Sequence, residues 1–254
     1  MKGICKLCGK SEELLNESHI IPDFIYRDLG IFNENHTLNR LTVKKEKEPI
    51  VHSRSIPSSE YEAGILCSKC DNEIIGGYEN YAKKAMFGGA LPSDESPIVT
   101  DYVTPQNIKY SQAVGISYPK FKLFLLSILW RMAISSRPIF YQVELSDEIK
   151  EKLRLMILND DPGDLNEFPI YGMTYLNDPS MPRDIIGQPF RAEVDGNTII
   201  RILLGGIFIL YHISIGFHDE NRIENLVLNK KNEWKLFHIE VGKGWEFFFK
   251  HASW

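Results

Sequence analysis

Long apolar runs are missing from this 254-residue chain. The longest, from Phe121 to Ile134, has 14 residues and is interrupted by Lys122, Ser127 and Arg131. Because a bilayer-spanning helix needs about 20 predominantly apolar residues, we expect no membrane segment. The N-terminus also lacks the apolar stretch of a signal peptide. These absences predict a cytoplasmic protein in a reducing compartment.

An excess of basic residues is absent as well. The formal net charge is −5, with 12 Lys or Arg against 13 Asp or Glu in residues 1–90 and 17 against 21 in residues 91–254. Tight non-specific binding to nucleic acid normally uses a basic surface. A local patch around Arg40 remains open, although the alternating charges of Lys44–Glu48 fit a solvated loop better.

Cysteine is scarce, and all four cysteines fall into two CxxC pairs. The pairs are Cys5-Lys-Leu-Cys8 and Cys67-Ser-Lys-Cys70. Four thiolates at this spacing can close a tetrahedral structural zinc site. Two disulfides or redox dithiols are the alternatives, and a reducing compartment favours the metal over both. The sequence therefore predicts one structural zinc ion.

A histidine motif lies between the two CxxC pairs, and polar residues follow the second pair. The motif residues, in chain order, are Ser18-His19-Ile20-Ile21-Pro22, Asp71-Asn72, Gly76-Gly77 and Glu79. This order resembles the HNH (His-Me finger) nuclease family, in the subtype with Glu-His-Ile-Ile-Pro and Cys-x-x-Cys-Asn. The resemblance covers roughly residues 3–90. It implies a zinc-stabilised ββα-metal finger.

The resemblance also implies roles for individual residues. His19 would be the general base, Asp71 and Asn72 would hold a catalytic Mg²⁺ or Mn²⁺ distinct from the zinc, and Asn39 is the choice for the middle residue of the family motif. Ser18 stands where the family usually has an acid, so one metal ligand is missing or comes from elsewhere. The implied activity is metal-dependent hydrolysis of phosphodiester bonds in DNA, of the kind found in restriction and phage defence.

A second function class stays open beside the nuclease. The acidic balance and Ser18 favour a non-catalytic zinc module that binds nucleic acid or a protein partner. The ordered set of cysteines, His19 and Asp71 favours the nuclease. A lone histidine is more often a structural residue, and only its position between two zinc knuckles favours catalysis here.

The fold class expected from the periodicities is α+β. Residues 1–90 form the finger, residues 91–119 a linker or crossing segment of short extended pieces, and residues 120–254 a helix-plus-antiparallel-sheet body that selects the substrate or partner, or forms a homodimer. Helices are predicted at Pro22–Leu29, Asp71–Phe87, Lys120–Ser136 and from Ser146 to about Asn159. Strands are predicted at 40–43, 50–53, 169–175, 190–194, 198–204, 207–215 and 234–241, with a hairpin at Asp195-Gly196.

Overall fold

The computed structural model describes residues 1–28, 38–44, 50–56, 59–213 and 223–250. For 38–44, 50–56 and 248–250 it describes the backbone only. The described residues form a mixed α+β structure, as the sequence predicts.

Three small antiparallel sheets build the N-terminal region. The first pair encloses the Cys5–Cys8 knuckle as its turn, and the second pair carries His19. The third pair contains the two strands predicted within residues 38–56. The bounds are β1 (Lys2–Ile4) with β2 (Ser11–Glu13), β3 (Ser18–His19) with β6 (Tyr61–Glu62), and β4 (Leu38–Lys44) with β5 (Ile50–Ile56). A short helix, α1 (Asp23–Asp28), follows β3 and lies within the predicted Pro22–Leu29.

A continuous helical segment begins at the second knuckle. It starts as a π-helix (Lys69–Ile75) and continues as α2 (Gly76–Phe87), which ends at Gly88 with φ of 90°. The helix predicted at Asp71–Phe87 is therefore present. The adjacent Gly76 and Gly77 mark the change from π to α geometry.

A seven-stranded sheet forms the body. Its strand order is β10-β11-β12-β9-β13-β8-β7. The strands are β7 (Ile98–Val103), β8 (Lys109–Val114), β9 (Ile170–Thr174), β10 (Phe190–Val194), β11 (Asn197–Leu204), β12 (Ile207–Ile213) and β13 (Glu233–His238). Asp195 and Gly196 form the predicted β10–β11 turn, both with positive φ. The expectation of an antiparallel sheet needs one correction, because β13 pairs parallel to β9.

Two strands within residues 91–119 belong to this sheet. The sequence predicts a linker or crossing segment there, whereas the structure has β7 and β8, and β8 pairs with both β7 and β13. The short extended pieces were recognisable, but their partner β13 lies more than 100 residues further along the chain. Local sequence carries no signal for a pairing at that separation.

Two long helices pack against each other; the first lies between the N-terminal region and the sheet, and the second packs on the π-helix. α3 (Tyr118–Ile134) is buried on nearly all sides, as its apolar composition predicts, and α4 (Asp147–Leu158) begins at the predicted N-cap, Ser146. The Ser146 hydroxyl accepts a hydrogen bond of 3.3 Å from the Ile149 N–H. A short 3₁₀ turn (Pro138–Phe140) connects the two helices, and α5 (Gly244–Lys250) closes the described chain.

The larger of two buried clusters joins the N-terminal region to the body: it runs from Cys5 and Ile20 through Leu129 of α3 to Trp234 of β13. A smaller cluster, which includes Phe190 and Phe208, packs with Phe247 of α5. The N-terminal region is thus packed onto the body. Within the described residues, no helix is both long and apolar enough to cross a membrane.

Candidate metal centre and active site

The four cysteine sulfurs form one cluster. The Sγ atoms of Cys5, Cys8, Cys67 and Cys70 all lie within 4.8 Å of one another. All four residues are described, and none forms a disulfide. Four thiolates around zinc at about 2.3 Å would be about 3.8 Å apart, so only a small contraction separates this arrangement from a tetrahedral site. The cluster can therefore bind a zinc ion, as the CxxC pairs predict.

Backbone N–H groups favour the thiolate form of Cys5. Burial opposes ionisation, but backbone donors from Cys8, Cys67 and Leu7 outweigh it, so the pKa of Cys5 lies below its ordinary value. The Cys67 N–H donates to the Cys5 sulfur at 3.4 Å. Burial raises the pKa of Cys70. Such a mixture is typical of a buried thiol cluster, which needs a cation before all four sulfurs can ionise together.

The cluster connects two elements that are distant in sequence. Cys5 and Cys8 belong to the β1–β2 turn. Cys67 directly precedes the π-helix and Cys70 lies in its first turn, and the Asp71 N–H donates to the Cys67 carbonyl at 3.0 Å. Arg154 of α4 donates to the Leu7 carbonyl at 2.5 Å and so holds the first knuckle against the body. A metal here therefore fixes the first hairpin to the start of the helix that carries Asp71.

Strand alternation decides which residue of β3 reaches the candidate active site. Ser18 is fully buried, and its hydroxyl has no hydrogen-bond partner among the described residues. The His19 side chain is 32% exposed, on the opposite face of the strand. Ser18 thus points into the core, which removes it as a metal ligand on geometric grounds.

An acid not considered from the sequence lies next to the His19 ring. Asp23, in the first turn of α1, places Oδ1 3.9 Å from His19 Nε2. Its other oxygen is 2.6 Å from Nε of Arg27. Asp23 is four residues after His19 and directly follows Pro22, so the tight turn at Pro22 brings the carboxylate back to the imidazole.

Asp71 lies at the start of the helical segment, half-buried. Burial raises the pKa of its carboxyl group, and the charges of Arg131 and His19 oppose that rise while Glu79 adds to it. Asp71 is therefore within electrostatic reach of Arg131, Glu79 and His19. Asp23 lies beside the His19 ring and Glu79 beside Arg131, while Asp71 acts on both through longer-range charge.

Arg131 is the buried cation beneath this group. Its side chain is 1% exposed, and Nη2 lies 2.7 Å from Glu79 Oε1, although not in hydrogen-bond alignment. Nη1 donates to the His19 carbonyl at 2.6 Å. Nε donates to the Ser127 carbonyl at 3.2 Å, which ties the guanidinium to its own helix. Arg131 consequently positions the backbone of His19 against α2 and supplies a fixed positive charge.

Two residues of the predicted site are not brought into this group. The Asn72 side chain is exposed and donates to Ser68 Oγ at 3.0 Å. Asn39 has its backbone in β4, and its side chain lies outside the described residues. Across the part of the chain that the structure describes, the four cysteines are the only group of three or more His, Cys, Asp or Glu ligand atoms this closely spaced.

Sequence signals for the missed residues were weak. Arg131 appeared only as an interruption of an apolar helix, although a lone arginine on a fully buried helix requires an acidic partner. Asp23 carried no motif at all. Its proximity to His19 depends on the turn at Pro22, which a sequence pattern does not specify.

Comparison with known proteins adds no relative. No protein-family model, no curated protein and no solved structure matches this chain. The functional assignment therefore rests on the motif resemblance and on the geometry described above.

Proposed function

We propose that this protein is a metal-dependent endonuclease of the HNH type that cleaves DNA, in a setting such as restriction or phage defence. One observation carries the proposal. The partly exposed His19 lies 3.9 Å from the Asp23 carboxylate, and Asp71, within electrostatic reach of His19, lies on the helix that the cysteine cluster joins to the first hairpin. This arrangement offers a base and candidate ligands for a hard cation.

His19 is the proposed general base. A neutral imidazole suits this role near pH 7. In the proposed step, a water oxygen bonds to phosphorus while His19 takes the water proton, and the bond to one ester oxygen breaks. The leaving oxygen then takes a proton from solvent. Arg131 holds the His19 backbone in place, and the Asp23 carboxylate lies 3.9 Å from the ring nitrogen Nε2.

Asp71 and Asp23 are the proposed oxygen ligands for a divalent cation. Asp23 would provide the carboxylate that Ser18 lacks, and Asn72 would need to leave Ser68 to take part. A Mg²⁺ or Mn²⁺ ion at this position would neutralise charge on the phosphate oxygens. Since three ligand atoms are not already grouped there, we expect weak binding until the phosphate completes the shell.

The test is a nuclease assay on plasmid and single-stranded DNA with Mg²⁺ or Mn²⁺. His19→Ala should lower cleavage by about 10²–10⁴-fold, which is the usual contribution of a positioned base. Asp71→Ala should remove the metal dependence. Ser18→Ala is the matched control, because its hydroxyl faces the core, and it should leave cleavage unchanged. Zinc content and folding should be equal in all variants.

The same assay separates the second candidate, a non-catalytic zinc module that binds nucleic acid or a protein. Two observations favour the non-catalytic module. The Asn72 side chain is already hydrogen-bonded to Ser68. Among the described residues, no three acidic or histidine ligand atoms are closely grouped near His19. Equal residual cleavage in the wild type and in His19→Ala would indicate a contaminating nuclease. No cleavage with any metal, with candidate partners added, would replace the nuclease proposal with this one.

A further inference from the structure

A cavity of about 460 Å³ lies between the helices and the sheet. Its size falls in the range of small-molecule sites, and its walls are mostly apolar. They come from the N-terminal region, from α3 and from the sheet; representative residues are Ile25, Met86, Phe121, Ile209, Trp234 and Leu236. None of these residues belongs to the thiolate cluster or to the acids around His19.

Trp234 provides an unsatisfied donor in the cavity wall. The residue is 4% exposed, and its Nε1–H has no hydrogen-bond partner among the described residues. Its ring packs on Phe121, which also lines the cavity, at a centroid distance of 5.6 Å. A buried donor without an acceptor costs free energy, and buried tryptophans normally find a partner. A bound molecule with an acceptor oxygen would remove that cost.

The polar groups of the cavity do not form a reactive centre. Ser111 Oγ is 2.6 Å from Asp101 Oδ1 and 2.7 Å from His238 Nε2. The carboxylate can only accept, so the serine proton is directed to Asp101, and the serine oxygen accepts from His238. Ser111 is therefore not activated as a nucleophile. The lining holds one carboxylate, Asp101, and one guanidinium, Arg183, so its formal charges sum to zero, which favours a neutral ligand.

We propose that this cavity binds a neutral, largely apolar small molecule that carries one carbonyl-type oxygen, and that this oxygen accepts a hydrogen bond from Trp234 Nε1. The site is separate from the proposed nuclease centre and does not depend on it. Since Ala85 and Met86 of α2 face the same cavity as the sheet strands, the ligand contacts both the N-terminal region and the body.

The probe for the test is 6-propionyl-2-(dimethylamino)naphthalene, a neutral naphthyl ketone whose emission shifts to the blue in apolar surroundings. 2-(Dimethylamino)naphthalene, which lacks the carbonyl group, is the paired probe. We expect saturable binding of both to the full-length protein. Trp234→Phe should weaken the ketone by about 5-fold, the value of one hydrogen bond, and should leave the carbonyl-free probe unchanged.

Cavity-filling variants locate the binding. Ala113→Leu places extra atoms in the cavity and should abolish binding of both probes. Ala192→Leu is the matched control, because Ala192 lines a different, 300 Å³ apolar pocket that Arg201 and Phe247 also line. If Ala113→Leu does not fold, as judged by circular dichroism, Ala85→Leu on the helix side serves the same purpose.

Three results would overturn the proposal. The first is no saturable binding of either probe. The second is unchanged binding in a folded Ala113→Leu or Ala85→Leu variant, or loss of binding only in Ala192→Leu. The third is an equal effect of Trp234→Phe on both probes, which would show that Trp234 Nε1 does not donate a hydrogen bond to the ketone.

Discussion

The N-terminal region and the sheet body stabilise their chains by different means. In the body, strands of five to eight residues pair in a single sheet and cover α3 with apolar side chains. In the N-terminal region, β1, β2, β3 and β6 have only two or three residues each. Isolated pairs of this length are not stable in water. Their order depends on the thiolate cluster and on contacts from α3 and α4.

This difference explains where the candidate chemistry lies. His19 lies on a two-residue strand and the acids lie on helices near it, and cross-links to the body hold them in place in addition to the shared buried core. The cross-links to the body are Arg131 to the His19 carbonyl, Arg154 to the Leu7 carbonyl, and Arg137 to Glu60 at 2.7 Å. The body thus serves as a platform, and the N-terminal region becomes sensitive to the loss of any one link.

Removing the metal should have the largest effect and should act on one region only. Structural zinc contributes about 10–16 kcal/mol of apparent binding free energy, and at such sites binding energy is folding energy. We expect chelation or Cys70→Ser to abolish amide-exchange protection in residues 1–28 and 59–87, while β9, β11 and β12 stay protected. Hydrogen exchange read by mass spectrometry, with metal analysis, measures this.

Ser68→Ala is the control for that experiment. Ser68 lies between the cysteines of the second knuckle but offers no sulfur, and its hydroxyl only accepts from Asn72. The Ser68→Ala variant should retain one zinc ion per chain and full protection of its amides from exchange. Loss of protection in the sheet together with the N-terminal region would show that the two regions unfold as one unit and would contradict the comparison.

Breaking the link through Arg131 should have the next largest effect. Arg131→Met removes the cation facing Glu79 and the donor to the His19 carbonyl. Losing one partner of a buried ion pair costs about 3–5 kcal/mol, and we expect the lower end because Glu79 is 22% exposed. Urea unfolding measures the change.

The double variant Arg131→Met with Glu79→Gln separates charge from packing. It removes the uncompensated carboxylate, so part of the lost stability should return. If Arg131→Met changed the free energy of unfolding by less than about 0.5 kcal/mol, as a surface substitution typically does, Arg131 would not join the two regions.

The features predicted from the sequence are those encoded within a few residues. Paired CxxC motifs predicted the thiolate cluster, the apolar composition of residues 121–132 predicted a buried helix, and Asp195-Gly196 predicted the hairpin. Each depends on spacing or turn chemistry that a short segment contains. These predictions are confirmed.

The features not predicted depend on contacts between distant segments. β7 and β8 join the sheet through β13, and β13 runs parallel to β9. Asp23 lies beside His19 because of a turn, and Arg131 of α3 contacts Glu79 of α2 across the interface between these two helices. Only tertiary packing defines these contacts. The nuclease assignment stays a prediction, because the structure describes the residues but not the reaction.

A second buried cation on α3 allows a test on the body side. Lys122 is 2% exposed, and its Nζ donates to the Tyr118 hydroxyl at 2.9 Å and to the Asp164 carbonyl at 2.8 Å. Unlike Arg131 it bonds to neutral oxygens, and burial lowers its pKa from 10.5 to about 7. Arginine stays charged at any working pH, so of these two residues only Lys122 should make the free energy of unfolding depend on pH.

The sign of this pH effect follows from the lowered pKa. Between pH 7 and 10.5 the unfolded chain binds more protons than the folded protein, so the free energy of unfolding should rise with pH in that window. The rise attributable to Lys122 is at most about 1.4 kcal/mol per pH unit. Urea unfolding at several pH values from about 7 to 9 should show a flatter curve for Lys122→Met than for the wild type. Parallel curves would mean that Lys122 keeps its ordinary pKa.

The smallest expected effect concerns α4, which packs on the N-terminal region and on α3. Arg154 binds the first knuckle, and the Ile157 carbonyl accepts from the Tyr78 hydroxyl at 3.1 Å. Ser146→Ala removes the hydroxyl that caps this helix and should cost about 1 kcal/mol. Ser117→Ala is the matched control, since Ser117 precedes α3 but its side chain makes no capping hydrogen bond. We expect the control to cost less. The loss from Ser146→Ala should appear in the exchange rates of the N-terminal region and of the sheet alike, because Leu153 and Ile157 of α4 belong to the buried core that also contains sheet residues. A loss confined to the sheet would show that the N-terminal region depends on its metal and on α3 alone.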